Sequence, residues 1–134
     1  MLRLEIVTPE KKIFCEDVDS VVIPASEGEI GVLPGHVPLM AHLAPGDLCI
    51  TGPSGTFHMA IGMGFVEIGG DKVAVLTDMA VPESEIDEEA AAEAARRAEE
   101  AMRDQKLGTE EYATVKASLQ KSLALVRVKR NRPI

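Results

Sequence analysis

The placement of glycine and proline constrains the fold of this chain more than any other feature. Ten of the eleven glycines and seven of the eight prolines lie in residues 1–82. Both residues punctuate turns and are poorly tolerated inside helices, so long helices are excluded before Pro82 and permitted after it. The 134 residues therefore divide into a turn-rich domain, 1–84, and a helical domain, 85–134.

The first part reads as short strands at 2–7, 18–23, 48–51, 57–61, 65–68 and 73–77, separated by turn signals such as "TGPSGT" and "IGGDK". This spacing predicts an antiparallel β-sandwich or flattened barrel. With one Tyr, three Phe and no Trp, its core must be built from Val, Ile, Leu and Met. A domain of this length can hold such a core with little stability to spare.

Residues 84–105, SEIDEEAAAEAARRAEEAMRDQ, are rich in Ala, Glu and Arg. Asp87 or Ser84 is the expected N-cap, with acids in the first turn where the helix dipole favours them. Gly108 is expected to end this helix, and a second starts near Thr109. Val115, Leu119, Leu123 and Val126 give it an apolar stripe. So short a break predicts an antiparallel two-helix hairpin. Its seam on the first helix would be Ala91, Ala94, Ala95, Ala98 and Ala101, which approach closely but bury few methylenes, at about 0.8 kcal/mol each. The fold class is thus mainly β with an α appendage, and the appendage is weakly held.

Charge excludes several functions. The net charge of −8 argues against nucleic acid as the main ligand, since phosphate repels an acidic surface. No run of 18 apolar residues is present, so no segment is expected to insert in a membrane. The N-terminal MLRLEIVTPEKK lacks the features of a signal or transit peptide. Cys15 and Cys49 sit in strand-like surroundings without a neighbouring Lys, Arg or His in sequence, and are expected to be buried, reduced thiols. Within the helical half, residues 83–111 carry eleven acids and four bases, a net of −7. Residues 112–134 carry six bases and no acid, a net of +6. Such polarity suits either intramolecular ion pairs or a basic helix that docks on an acidic protein surface.

The stretch GEIGVLPGHVPL, residues 28–39, raises the question of phosphate binding. A phosphate-cradling loop needs a lysine and a following helix, and neither is present. GMGFVEIGG is not a G-x-G-x-x-G dinucleotide motif either, because Val66 and Glu67 run on to Gly69 in a strand. His36, His42 and His58 match no compact metal motif, and no metal is expected. Ser54 and Ser84 lie in no nucleophile elbow. The paired glutamates sit on an exposed helix. The chain is expected to act by contact rather than catalysis.

Two longer stretches then carry a resemblance: SEGEIGVLPGHVPLMAHLAPG at 26–46, and GMGFVEIGGDKVAVLTDMAVPESEIDEEAAAEAARRAEEA at 62–101. In order and along nearly the whole chain, they resemble the epsilon subunit of the F-type ATP synthase, whose mitochondrial counterpart is called delta. The resemblance implies the fold already read, a sandwich followed by a hairpin. It implies a non-catalytic central-stalk subunit that binds the gamma subunit and the ring of c subunits. Such a subunit couples proton-driven rotation to ATP synthesis and, through its helices, inhibits hydrolysis at the catalytic alpha/beta head. Peripheral location at the cytoplasmic face of a bacterial plasma membrane follows, with a plastid thylakoid as second choice. Competing readings are a free-standing binding module with a dimerising hairpin, and a small metal-dependent enzyme.

Carried over by position, the resemblance makes Glu29, Gly31, Gly35 and His36 the candidate rotor interface. Arg96, Arg97, Arg103, Lys121, Arg127, Lys129 and Arg130 become candidate contacts to the catalytic beta subunit. Some family members bind ATP through [IL]-D-x-x-R-A. Ile86, Asp87 and Ala91 fit that pattern, but Ala90 replaces the arginine. No cofactor is therefore expected, and weak ATP binding is the disfavoured alternative: loss of the guanidinium removes the charge partner for phosphate, with Arg96 or Arg97, a turn or two along, as the candidate replacement.

Overall fold

The computed structural model describes residues 1–103 and 107–130. Ten strands fill the first part: β1 (Leu2–Val7), β2 (Lys12–Val18), β3 (Ser20–Ala25), β4 (Gly28–Val32) and β5 (His36–Leu43), then β6 (Gly46–Gly52), β7 (Gly55–Ile61), β8 (Gly64–Gly70), β9 (Lys72–Thr77) and β10 (Ala80–Pro82). A single 3-10 turn, Glu83–Glu85, leads to α1 (Glu88–Met102) and α2 (Thr109–Arg130). The ends of both predicted helical runs, 104–105 and 131–134, lie outside the described residues.

The strands follow the order β10-β7-β6-β3-β5-β8-β9-β1-β2, with β4 added beside β3. The two halves of this sheet meet through one register pair, Ala25↔Leu43. The sheet turns there and folds over itself. Leu48, Ile50, Met59 and Ile61 from one half pack with Leu2, Leu4, Ile6, Val66, Val73 and Val75 from the other in one core. Alternation makes this possible, because every second side chain of a strand points inward. The sandwich is antiparallel with one exception. β1 runs parallel to β9 from Arg3↔Lys72 to Val7↔Leu76.

Four strands were not legible in the sequence: β2, β4, β5 and β10. β2 begins at Lys12 and carries charges at Lys12, Glu16 and Asp17 on both faces, and the expected strand at 18–23 straddles the boundary between β2 and β3. The stretch 28–39 is likewise not one compact loop. It is strand β4, a turn, and the start of β5.

Asp87 caps α1, its carboxylate accepting the Ala90 N–H at 3.1 Å. Gly108 caps the second helix instead of ending the first. Its carbonyl accepts the Tyr112 N–H at 2.9 Å, and Arg103 closes α1. The hairpin is antiparallel, since Arg130 at the end of α2 reaches Glu88 at the start of α1. Ala91, Ala95 and Ala98 are buried at the seam, whereas Ala94 is exposed. Leu123 is also exposed, at 43%. The covered side of α2 carries Val115, Leu119, Ser122 and Val126, where helical spacing places the serine in the stripe and the leucine beside it. A second side carries Leu125 and Val128, which join Ala60, Ile86, Met79 and Val81 in a small core between hairpin and sandwich.

Candidate docking surfaces

β4 pairs only with β3, so it is an edge strand, and Glu29 and Gly31 are exposed along it. Gly31 has ordinary backbone angles and open space where a Cβ would lie. Gly35 has a different reason to be glycine. Its φ of +83° is strained for any side chain. Its N–H points to the Asp71 carboxylate at 2.9 Å and the Gly70 carbonyl at 3.1 Å. The turn closes when the His36 N–H donates to the Leu33 carbonyl at 3.2 Å. His36 Nδ1 then lies 2.7 Å from the Val37 carbonyl, which requires a proton on Nδ1 and leaves Nε2 as the free ring position.

Glu29 and His36 are not neighbours. Three residues of strand and a turn separate them, roughly 10 Å along β4 alone at about 3.3 Å per residue. Glu29 lines an open cavity of about 340 Å³ with Met40 and His42, while His36 pairs with Gly70 at the other end. The residues that sequence reasoning missed are apolar. Leu33 is 65% exposed and Val37 71%, on either side of the Pro34–Gly35 turn, and Met40 is also exposed. Exposed apolar residues grouped at a fixed turn mark a contact surface. Their signal was present in "VLPGHVPLM", where Leu33, Val37, Leu39 and Met40 crowd a turn that cannot bury them.

A second apolar strip crosses the same half of the sandwich. Phe65 registers with Leu76, and Leu76 with Val7. Phe65, Leu76 and the adjacent Met63 are exposed, and Val7, Pro9, Met63, Leu76 and Asp78 line a groove of about 340 Å³.

The candidate cations of the hairpin are mostly paired. Arg96 binds Glu93 and, at 2.6 Å, Glu100, and Arg97 binds Glu93 at 3.2 Å. Those hydrogen bonds hold the Glu93 carboxyl below its ordinary range. Lys121 meets Asp78 at 2.8 Å, Lys129 meets Glu83 at 3.5 Å, and Arg130 meets Glu88 at 2.6 Å. Arg103 and Arg127 are exposed. The intramolecular half of the charge expectation is therefore realised. Ile86, Asp87 and Ala91 all have structural work: a core contact, a helix cap and a seam position. Ala90 is exposed.

The cysteines depart from expectation. Both are free but only partly buried. Arg3, distant in sequence, comes within 3.1 Å of Cys15 Sγ, and Cys49 sits opposite His58. His58 Nδ1 is 2.9 Å from Asp47, so it is a satisfied histidine. Among the described residues, no three His, Cys, Asp or Glu converge to hold a metal, and no helix is long and apolar enough to cross a membrane.

Comparison with known proteins agrees with this architecture. Residues 1–83 match the family model of the ATP synthase delta/epsilon chain β-sandwich domain, and 84–130 match that of its long α-helix domain. The chain is 41% identical to the ATP synthase epsilon chain of Halorhodospira halophila over 128 residues, covering 94% of this chain and 90% of the relative. It is 41% identical over 130 residues to that of Nitratidesulfovibrio vulgaris, covering 97% and 96%. Its structure resembles a chain of the Euglena gracilis mitochondrial ATP synthase, in a structure of OSCP, F1 and c-ring. The TM-score is 0.79 at 29% identity, over 92% of this chain and 78% of that one.

Proposed function

The chain belongs to the ATP synthase delta/epsilon chain family, as an epsilon chain of the F-type enzyme, a central-stalk rather than catalytic subunit; from that premise we propose that its sandwich fastens to the rotor and its hairpin restrains ATP hydrolysis. The observation that carries the rotor reading is the fixed turn at Gly35, which presents Leu33 and Val37 to solvent. A turn already held by Asp71 loses little conformational entropy on docking. We assign β4 and this turn to the c-ring contact, with Glu29 and His36 giving orientation at its two ends. The strip of Phe65, Leu76 and Met63 is the seat for the gamma subunit, because apolar rows of this kind form the centre of protein interfaces.

The hairpin reading rests on its small apolar attachment, centred on Ala60, Ile86 and Val128, and on five bases without an acid in residues 112–130. An element so held can exchange one packing for another at modest cost. Arg103, Arg127 and the paired cations then meet acidic residues of the catalytic beta subunit. Against nucleotide binding at the Ile86 motif stand Ala90, at the position of the missing arginine, and the pairing of Arg96 and Arg97 with glutamates. On this reading the subunit couples proton-driven rotation to ATP synthesis while lying peripherally on the cytoplasmic face of the membrane.

The test is competition for the rotor. A Glu29→Ala/His36→Ala chain will be displaced from gamma and c-ring by the unmodified chain while its sandwich melts normally. Equal retention would overturn the interface assignment.

A further inference from the structure

We propose that His36 sets the chemistry of the contact made by the Gly35 turn: it offers Nε2 as a hydrogen-bond acceptor, and the rotor residue that meets it is a cationic donor, a guanidinium or an ammonium. The partner rests on the rotor reading above, whereas the state of the ring is a property of the isolated chain.

That state follows from geometry. A carbonyl only accepts, so the Val37 carbonyl, 2.7 Å from Nδ1, fixes the ring proton there. A neutral imidazole carries one N–H, and Nε2 is left with a lone pair. The backbone beneath the ring is held on both sides of the peptide. The His36 N–H donates to the Leu33 carbonyl at 3.2 Å, and the preceding Gly35 N–H is shared between the Asp71 carboxylate at 2.9 Å and the Gly70 carbonyl at 3.1 Å. Asp71 is itself anchored, because its carbonyl accepts the Arg3 N–H at 2.7 Å. Among the described residues, none meets Nε2.

Docking makes the lone pair decisive. Leu33 and Val37 are exposed beside His36 in the chain, so a partner that covers them also strips water from the ring. A dewatered acceptor is either given a donor or left unpaired, and a site of this kind rejects a partner that lacks the matching group. Charge selects the class of donor. Arg3 and Lys72 register with each other next to Asp71, but Arg3 meets Asp17 at 3.4 Å and Lys72 meets Glu5 at 3.7 Å. Asp71 spends its carboxylate on a backbone N–H instead, and its negative charge at the turn favours an incoming cation. Asp71 is thus a positioning residue for His36 as well as a source of field.

The experiment has two arms. Nitrogen NMR of the full chain at about pH 8, above the ordinary imidazole range, will show the His36 proton on Nδ1; a proton on Nε2 overturns the proposal. Competition for the detergent-solubilised complex of gamma and c-ring then separates the two ring positions. In His36→Gln the side-chain oxygen reaches the place of Nε2, and retention will hold within about threefold. In His36→Asn the amide reaches only the place of Nδ1, and retention will fall by about tenfold or more while melting is unaltered. Equal loss in both variants, or loss confined to His36→Gln, overturns the acceptor and leaves His36 in the interface. Full retention in both overturns the interface assignment itself. Asp71→Asn keeps an oxygen for the Gly35 N–H and removes the charge, so its retention will respond less to added salt. An unaltered salt response overturns the cationic donor.

Discussion

The two carboxylate oxygens of Asp78 serve different halves of the molecule. Oδ1 accepts the Met63 N–H at 3.0 Å, and Oδ2 lies 2.8 Å from Nζ of Lys121. One side chain thus ties the turn between β7 and β8 to the second helix. Buried Thr77 beside it accepts the Gly62 N–H at 3.2 Å, so the "T-D" pair organises the whole exit from the sandwich.

Glycine at 62 makes room for this arrangement, since a Cβ there would sit 2.2 Å from Asp78 Oδ1. Gly62→Ala will displace the carboxylate and cost about 1–3 kcal/mol in denaturant unfolding. Gly64→Ala will cost more, because φ is +147° and the Cβ would meet the Leu76 carbonyl at 1.9 Å. Gly31→Ala, in open space, will change stability by no more than about 1 kcal/mol. Any other ranking of the three would contradict this account of the packing.

At the turn, Leu33→Asp and Val37→Asp will each weaken rotor binding by tenfold or more, as loss of an apolar anchor does at an interface. Both residues are already exposed, so the melting temperature will hold within a few degrees. Binding at full strength would show that the turn faces solvent in the assembled enzyme.

Burial, and then Asp47 and Glu29, push the Cys49 thiol above its ordinary range. The fold holds this proton more tightly than the unfolded chain does. The resulting stability is present below the unfolded thiol's pKa and is lost as pH rises through the folded one. Iodoacetamide will therefore label Cys49 slowly at neutral pH, with the onset shifted to higher pH, and Glu29→Gln will bring that onset down. Neutral-pH labelling as fast as in the unfolded chain would remove this electrostatic link.

Isothermal titration of the chain with ATP will give no saturable heat. The guanidinium absent at Ala90 is not replaced by Arg96, which already spans Glu93 and Glu100. Tight binding would show that nucleotide uses a site outside the Ile86 motif.

The break at Pro82 made the two-part fold legible, because glycine, proline and alanine report backbone permission directly. What the sequence hid came from pairing across distance. β4 and β5 did not read as strands since Gly31, Pro34, Gly35 and Pro38 are turn residues, yet their strands need only an edge and a bulge to accept them. Arg3 at Cys15, Asp71 at Gly35 and Asp78 at Lys121 are all long-range contacts that no local pattern encodes. Leu123 misled for a simpler reason: helical spacing placed Ser122 in the stripe and left the leucine one position away.

The most direct test compares ATP hydrolysis by the assembled enzyme carrying the full chain or a chain lacking residues 87–134. The main core draws on residues 2–80, all before the truncation, so the truncated sandwich keeps its packing. Hydrolysis will be faster with the truncated chain, and attachment to the rotor will be undiminished. Unchanged hydrolysis, or a truncated chain that no longer attaches, would contradict it.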